Sequence, residues 1–164
     1  MPIAGGEPRR LSWHPDVDTV TGWTVDGEGV LFASGRINQP RPWPRLWTIP
    51  AGGGMPTQLP IPRAFEGRFS PDGKHLAYEM INSWDVEWRN YRGGQAQPIR
   101  LIDLDTLEVT KVPGPESVNA SPAWIGGKVF FLSDRDWAMN VWEYDVAAGT
   151  VEQRTHFKEF DCKR

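Results

Sequence analysis

Apolar and polar residues alternate with period two along most of this chain, in short runs bounded by Gly, Pro and Asp. "GWTVDGEGVLFAS" (22–34), "GRFSPDGKHLAYE" (67–79) and "SPAWIGGKVFFLS" (121–133) each read as a strand ending in Trp or Phe, a Gly-containing turn, and a strand alternating toward an aromatic. Such a pattern predicts antiparallel hairpins. A second hairpin follows each: "LWTIPAGGGMPTQL" (46–59), "IRLIDLDTLEVTKV" (99–112) and "VWEYDVAAGTVEQRT" (141–155). No window of helical length carries apolar residues at i, i+3, i+4 and i+7 between two caps, so little helix is expected.

The hairpin pairs repeat. From Trp23 to Phe69 is 46 residues and from Phe69 to Trp124 is 55, the longer interval holding an insertion at 80–98. Four strands in roughly 40–50 residues is the pattern of propeller blades. The expected fold is therefore all-β: a partial β-propeller of about three four-stranded antiparallel blades at 21–62, 63–116 and 117–157. Residues 1–20 are expected to be the outer-strand remnant of a preceding blade with a linker, and 158–164 an exit segment. The first assignment rests on "PIAGGEPRRL" (2–11), which aligns without gaps to "PAGGGMPTQL" (50–59) and places Arg9 and Arg10 on a solvated rim strand. An open arc exposes an apolar blade face at each end. Two copies closing a six-bladed ring by two-fold symmetry, with residues 2–11 latched onto the partner as an outer strand, is the homodimer this predicts.

Composition sharpens the picture. Fifteen Pro, 17 Gly and nine Trp favour turns and strands over helices. Eighteen Lys and Arg against 21 Asp and Glu give a net charge of −3 with no basic run, so nucleic acid is not an expected partner. No apolar stretch approaches the ~20 residues of a membrane-spanning helix, and a soluble protein with no membrane partner is expected. Cys162 is the one cysteine and leaves no internal disulfide to form.

If each blade runs from strand A inside to strand D outside, the B-to-C connections share one face. These are "GRINQPRPWPR" (35–45), "MINSWDVEWRNYRGGQAQP" (80–98) and "DRDWAM" (134–139). They hold Trp43, Trp84, Trp88, Arg89, Tyr91, Arg92 and Trp137, a candidate surface for a peptide or protein ligand, because loops on a rigid scaffold carry recognition. The segment 88–94 has two readings. As a crossover, Trp88 and Tyr91 pack over neighbouring blades and Gly93-Gly94 reverse the chain with φ > 0; as a surface, Arg89 and Arg92 face a peptide. The crossover is the first expectation and the peptide-facing surface the second.

Catalytic chemistry is thin. His14, His75 and His156 read as structural, and neither G-x-S-x-G nor H-E-x-x-H occurs, so no catalytic residue is assigned. Asp134 and Asp136 are too few to ligate a hard cation and are expected to accept backbone N–H groups in Asx turns. Asp72 is expected to cap its own "SPDG" turn. No metal and no cofactor are expected.

Two stretches carry a family likeness. "FSPDGKHLAYE" resembles the blade motif of TolB-like propellers. "EWRNYRGGQAQPIRLIDL", followed by "SPAWIGGKVFFLSDRDWAMNVWEYDVAAGTVEQRTHFKEFD", is closer to the tricorn-type serine peptidases. Their six-bladed N-terminal propeller carries a W-(K/R)-x-Y-R-G-G loop, then a P-x-(W/V)-x-G-x-x-(I/V)-(Y/F)-F-(L/I)-(S/T)-D-x-D-G blade. Trp137 stands at the position of the last Gly, and the turn there is expected to be remodelled. The resemblance implies a cytoplasmic parent peptidase whose nucleophile and base lie in other domains, with the propeller filtering peptides into or out of a closed chamber. On that reading the rest of the parent enzyme is the main partner, and this part of it gates and scaffolds without hydrolysing. The alternative is a stand-alone TolB-like module that binds a protein or peptide.

Overall fold

The computed structural model describes residues 5–37, 43–81 and 90–163, and among them there is no helix. The strands are β1 (Asp18–Trp23), β2 (Gly29–Ser34), β3 (Arg45–Pro50), β4 (Thr57–Gln58), β5 (Glu66–Phe69), β6 (His75–Glu79), β7 (Arg100–Asp103), β8 (Val109–Lys111), β9 (Asn119–Ile125), β10 (Lys128–Asp136), β11 (Ala138–Asp145) and β12 (Thr150–Gln153). They form three four-stranded sheets, β1–β4, β5–β8 and β9–β12, and every strand pairs with its sequence neighbour. All pairings are antiparallel. Each expected hairpin is present, and β1 starts at Asp18.

Alternation along the strands builds the seams between blades. Leu31 and Ala33 on β2 and Leu46 on β3 pack with Leu76, Tyr78 and Ile102 of the next sheet, and Ile61 and Ala64 from the connection close that core. The other side of β6 and β7, Ala77 and Leu101, meets Val129, Phe131 and Tyr144 of the third sheet. Gly67 on β5 lies in the first seam, where an added Cβ would stand 2.7 Å from Leu46 Cδ1 and 3.1 Å from Leu76 Cδ2. Leu46 and Leu76 are fully buried. Close approach, rather than an unusual φ, explains this glycine.

The ends of the outer strands repeat one contact. The N–H of Leu59 reaches Leu46 O at 2.9 Å, that of Val112 reaches Ile99 O at 2.9 Å, and that of Arg154 reaches Val141 O at 2.8 Å. Leu59 and Val112 both join a seam. Leu11, their counterpart in the 2–11 alignment, packs on Val30, Phe32, Trp47 and Ile49 on the outward side of the first blade. The side chain therefore docks as the alignment requires, but the backbone corrects the expectation of a rim strand. Residues 5–17 form no strand, and Arg9 donates to Gly52 O in the β3–β4 turn of its own blade. A rim strand needs a neighbouring strand to accept its hydrogen bonds, and here the chain uses side-chain contacts instead. The first blade's outward face is thus covered, not open: Phe32 is 2% and Ile49 2% exposed.

The outward face of the third blade has a different chemistry. Phe130, Leu132 and Val141 are half-buried there, beside a carboxylate, Glu143, at the position that Leu101 occupies in the second blade. Arg154 stands where Leu59 and Val112 stand. Its Nε and Nη2 donate to the two Glu143 oxygens at 2.8 and 2.7 Å, and Lys128 Nζ donates to Oε1. These bonds, Arg154's first, pull the Glu143 carboxyl from its usual 4.5 down to about 2. A carboxyl depressed in the folded state contributes stability that is present above pH 4.5 and lost as pH falls toward 2. Thermal melts between pH 5 and 2 are expected to show a Tm decline that Glu143→Gln flattens; parallel wild-type and variant curves would count against the cluster.

Candidate functional site

Asp134 organises the loop face. It ends the regular pairing of β10, is 1% exposed, and accepts the N–H of Asn90 and of Val118, each at 2.9 Å. Arg92 Nη1 donates to its carboxylate at 2.9 Å and Nη2 to its main-chain carbonyl at 2.7 Å. The expectation of an Asx turn is corrected here: Asp134 does accept backbone N–H groups, but from residues 44 and 16 positions away. It clamps the second blade's long loop to the third blade. A buried carboxylate is tolerated because three donors, one of them cationic, replace its water.

Trp137 sits on this clamp. Its N–H donates to Asp134 O at 2.8 Å, its φ is 66°, and its side chain is 64% exposed. The turn is not remodelled, as the departure from glycine suggested; the tryptophan occupies the left-handed conformation a glycine would take. That conformation costs an L-residue roughly 1–2 kcal/mol. The ring lies against Arg92, whose guanidinium carbon is 4.9 Å from the ring centroid. One strained aromatic is held outward on a buried ion pair. "DRDWAM" is likewise a tight β10–β11 turn and not a long loop, since β10 reaches Asp136 and β11 begins at Ala138.

The other candidate residues divide. Trp84, Trp88 and Arg89 lie outside the described residues. Tyr91 is half-buried and crosses Gly93, where a side chain would run into the tyrosine ring. Gly93 and Gly94 do not have positive φ; among the described residues of this loop the left-handed one is Asn90, at φ 57°. The expectation of a glycine-made reversal is corrected accordingly. Trp43, 45% exposed, carries the Arg63 guanidinium over its ring at 3.7 Å. It belongs to the first blade's loop, so Trp43 and Trp137 mark the same face from two blades.

Sequence reasoning missed a paired device on this face. Arg36 follows Ser34, and Arg135 follows Ser133, at one spacing in "FASGR" and "FLSDR". Arg36 donates from Nε to Ser34 Oγ at 3.1 Å and from Nη2 to Asp18 at 2.8 Å, and stacks on Phe32 and Trp47. Arg135 donates from Nε to Ser133 Oγ at 3.1 Å and from Nη2 to Asn119 Oδ1 at 3.2 Å, and stacks on Phe131 and Trp142. Burial opposes ionisation of Asp18, but bonds from Ser12, Arg36 and Ser34 outweigh it and hold the carboxyl below its usual value. Burial lowers the pKa of Arg135. In the middle blade the corresponding cross-strand pair is Glu66 with Glu79, and Glu79 Oε1 accepts the N–H of Ser121 at 2.5 Å. The repeated Ser-x-Arg was the readable signal.

The histidines occupy structural surroundings. His14 Nδ1 accepts the N–H of Asp16 at 3.1 Å, His75 Nε2 is 3.4 Å from Asp103 Oδ2, and His156 is exposed after β12. Asp72 caps its turn as expected, taking Ser70 Oγ–H at 2.5 Å and the Lys74 N–H at 3.0 Å. Ser70's bond, then Lys74's, keeps this carboxyl below its usual value. Among the described residues no three His, Cys, Asp or Glu side chains gather as a metal cluster, and no helix is long and apolar enough to cross a membrane.

One family model, described as the tricorn protease N-terminal β-propeller domain, matches residues 1–164. The chain belongs to that family. Solved structures share the fold of this tricorn-type propeller. TolB from Acinetobacter baumannii is 19% identical with a TM-score of 0.72, over 96% of this chain and 37% of that one. The tricorn protease is 20% identical with a TM-score of 0.70, over 88% of this chain and 14% of that one. The β-propeller domain of the Trilobed protease from Pyrococcus furiosus is 18% identical with a TM-score of 0.57, over 85% and 44%. The tricorn-type chain thus spans well under half of each of these. A comparison with curated proteins finds no match.

Proposed function

We propose that this tricorn-type propeller segment gates and scaffolds peptides for a parent serine peptidase, with its loop face, Trp137 and Trp43 foremost, turned toward the peptide. The observation that carries the reading is Trp137. A tryptophan at positive φ whose side chain is exposed carries a conformational cost, and such outliers concentrate at ligand-contacting sites. Arg92 braces one side of the ring, which leaves the remaining indole surface for an apolar or aromatic peptide side chain. Arg92 holds the platform; nucleophile and base belong to other parts of the parent.

The purified chain is expected to leave a fluorogenic peptide intact while binding a labelled, permanently unfolded polypeptide by fluorescence anisotropy. Trp137→Gly is the informative variant. It relieves strain of roughly 1–2 kcal/mol, adds about 0.5–1 kcal/mol of glycine entropy and removes a cation–π contact of about 0.5–1 kcal/mol. Stability should therefore change by less than about 1 kcal/mol, while polypeptide binding weakens severalfold. Turnover that a serine-directed inhibitor abolishes, or binding indifferent to both Trp137→Gly and Trp43→Ala, would sink the reading.

An assembly goes with it: two copies closing a six-bladed ring, in which the segment that covers the first blade's outward face gives way to the partner's third blade. The half-buried Phe130, Leu132 and Val141 on the third blade favour a covered face there. Sedimentation that returns the mass of one chain at every concentration counts against the dimer.

A further inference from the structure

An apolar groove lies on the opposite face from Trp137, at the tight turns between the second and third blades. Its volume is about 390 Å³, and Pro71, His75, Trp124, Gly127, Val146 and Ala147 line it. That is room for one or two side chains. Trp124 donates its indole N–H to Gly126 O at 3.1 Å, and the His75 ring stands 6.0 Å from it at 35°. Both rings are half-buried. Glycine at 126 and 127 keeps the wall low, for an added Cβ at either position would meet nothing within 4 Å.

Charge tells what fits there. Antiparallel topology places the β5–β6, β7–β8, β9–β10 and β11–β12 turns at one edge of the sheets. Asp72 lines the groove, Asp103 is 3.4 Å from His75, and Asp145 anchors the turn that supplies Val146 and Ala147 by accepting the Ala147 and Ala148 N–H groups at 3.1 and 2.9 Å. Bonds from Ser70 to Asp72 and from the Thr106 N–H to Asp103, with others, hold both carboxyls below their usual values, so both are anionic at neutral pH. Two lysines are near: Lys128 is bonded to Glu143, and Lys74 is exposed beside Asp72. The loop face, by contrast, carries Arg36 and Arg92, each paired to an aspartate, with Arg63 and Arg135 stacked on aromatic rings. An aromatic wall next to carboxylates selects a cation, which gains from the π face and the anions together.

We infer that this groove is a second peptide subsite, one that takes a lysine or arginine side chain of a basic, apolar-rich segment against Trp124, with Asp72 in its lining and Asp103 behind His75. It is independent of the loop-face reading, being made from other residues on the other face.

The probe is a fluorescein-labelled hexapeptide of alternating lysine and leucine, titrated with the chain and followed by anisotropy, with glutamate–leucine and glutamine–leucine peptides alongside. The lysine peptide should bind best, and added salt should weaken it. Trp124→Ala should cost roughly tenfold in affinity. Gly127→Phe should abolish binding, and because Gly127 has ordinary φ and open space around it, that variant should melt as wild type does. The inference is overturned if the glutamate or glutamine peptide binds as tightly, if Trp124→Ala binds as wild type does, or if Gly127→Phe folds and still binds.

Discussion

Asp134→Ala is expected to cost the fold about 3–5 kcal/mol and to lower Tm by on the order of 10 °C. The carboxylate is 1% exposed and satisfies three donors from outside its own turn: the Asn90 and Val118 N–H groups and Arg92 Nη1. Alanine leaves the two N–H groups without their acceptor and the guanidinium without its counter-charge. Each loss is a desolvated group left unpaired, which is why the sum exceeds what an exposed ion pair would give. Asp134→Asn, which keeps one acceptor oxygen, should fall between the two. Circular-dichroism melts measure both, and a Tm drop below about 3 °C for the alanine variant would mean that the clamp holds nothing. The same melts should show the second blade's loop loosening first, because two of the three lost bonds come from Asn90 and Arg92.

The blades were readable because their signals are local. A strand's alternation, a glycine in the turn and an aromatic at the strand end all lie within about a dozen residues, and β5–β6 and β9–β10 formed where those signals sit. The clamp was half-readable. Arg92 and Asp134 each stand in a quoted motif, but nothing local says that they bond to each other across 42 positions. The turn at Trp137 misled for a physical reason: glycine prefers positive φ, and its absence reads as a different turn, whereas tertiary contacts with Asp134 and Arg92 hold a tryptophan there. The alignment of residues 2–11 correctly placed Leu11 as the counterpart of Leu59, yet a strand depends on a hydrogen-bonding neighbour that alignment does not supply. The turn-face groove left no trace in sequence because its walls come from turns of two different blades.

Phe131→Ala is expected to be comparably damaging, again about 3–5 kcal/mol. Phe131 is 2% exposed and sits in the seam with Ala77, Leu101 and Tyr144, so its removal opens a cavity between two blades rather than at a surface. A seam between two sheets collapses poorly, since each sheet is stiffened by its own ladder of hydrogen bonds. The ring also supports Arg135, whose guanidinium carbon is 5.0 Å from its centroid and 4.9 Å from that of Trp142. Losing one of two stacking surfaces frees a cation that burial already disfavours, and its bond to Asn119 at the start of β9 weakens with it. Phe131→Leu keeps most of the volume and should cost under about 1.5 kcal/mol. Phe32 offers the internal comparison, as it stacks on Arg36 in the same way but faces Leu11 and the covering N-terminal segment instead of a blade. That segment has no ladder to stiffen it and can settle into the space, so Phe32→Ala should fall at or below the lower end of the same range. Urea melts of the three variants order the two positions; equal losses at Phe32 and Phe131 would show that the N-terminal segment seals its blade as firmly as a neighbouring sheet does.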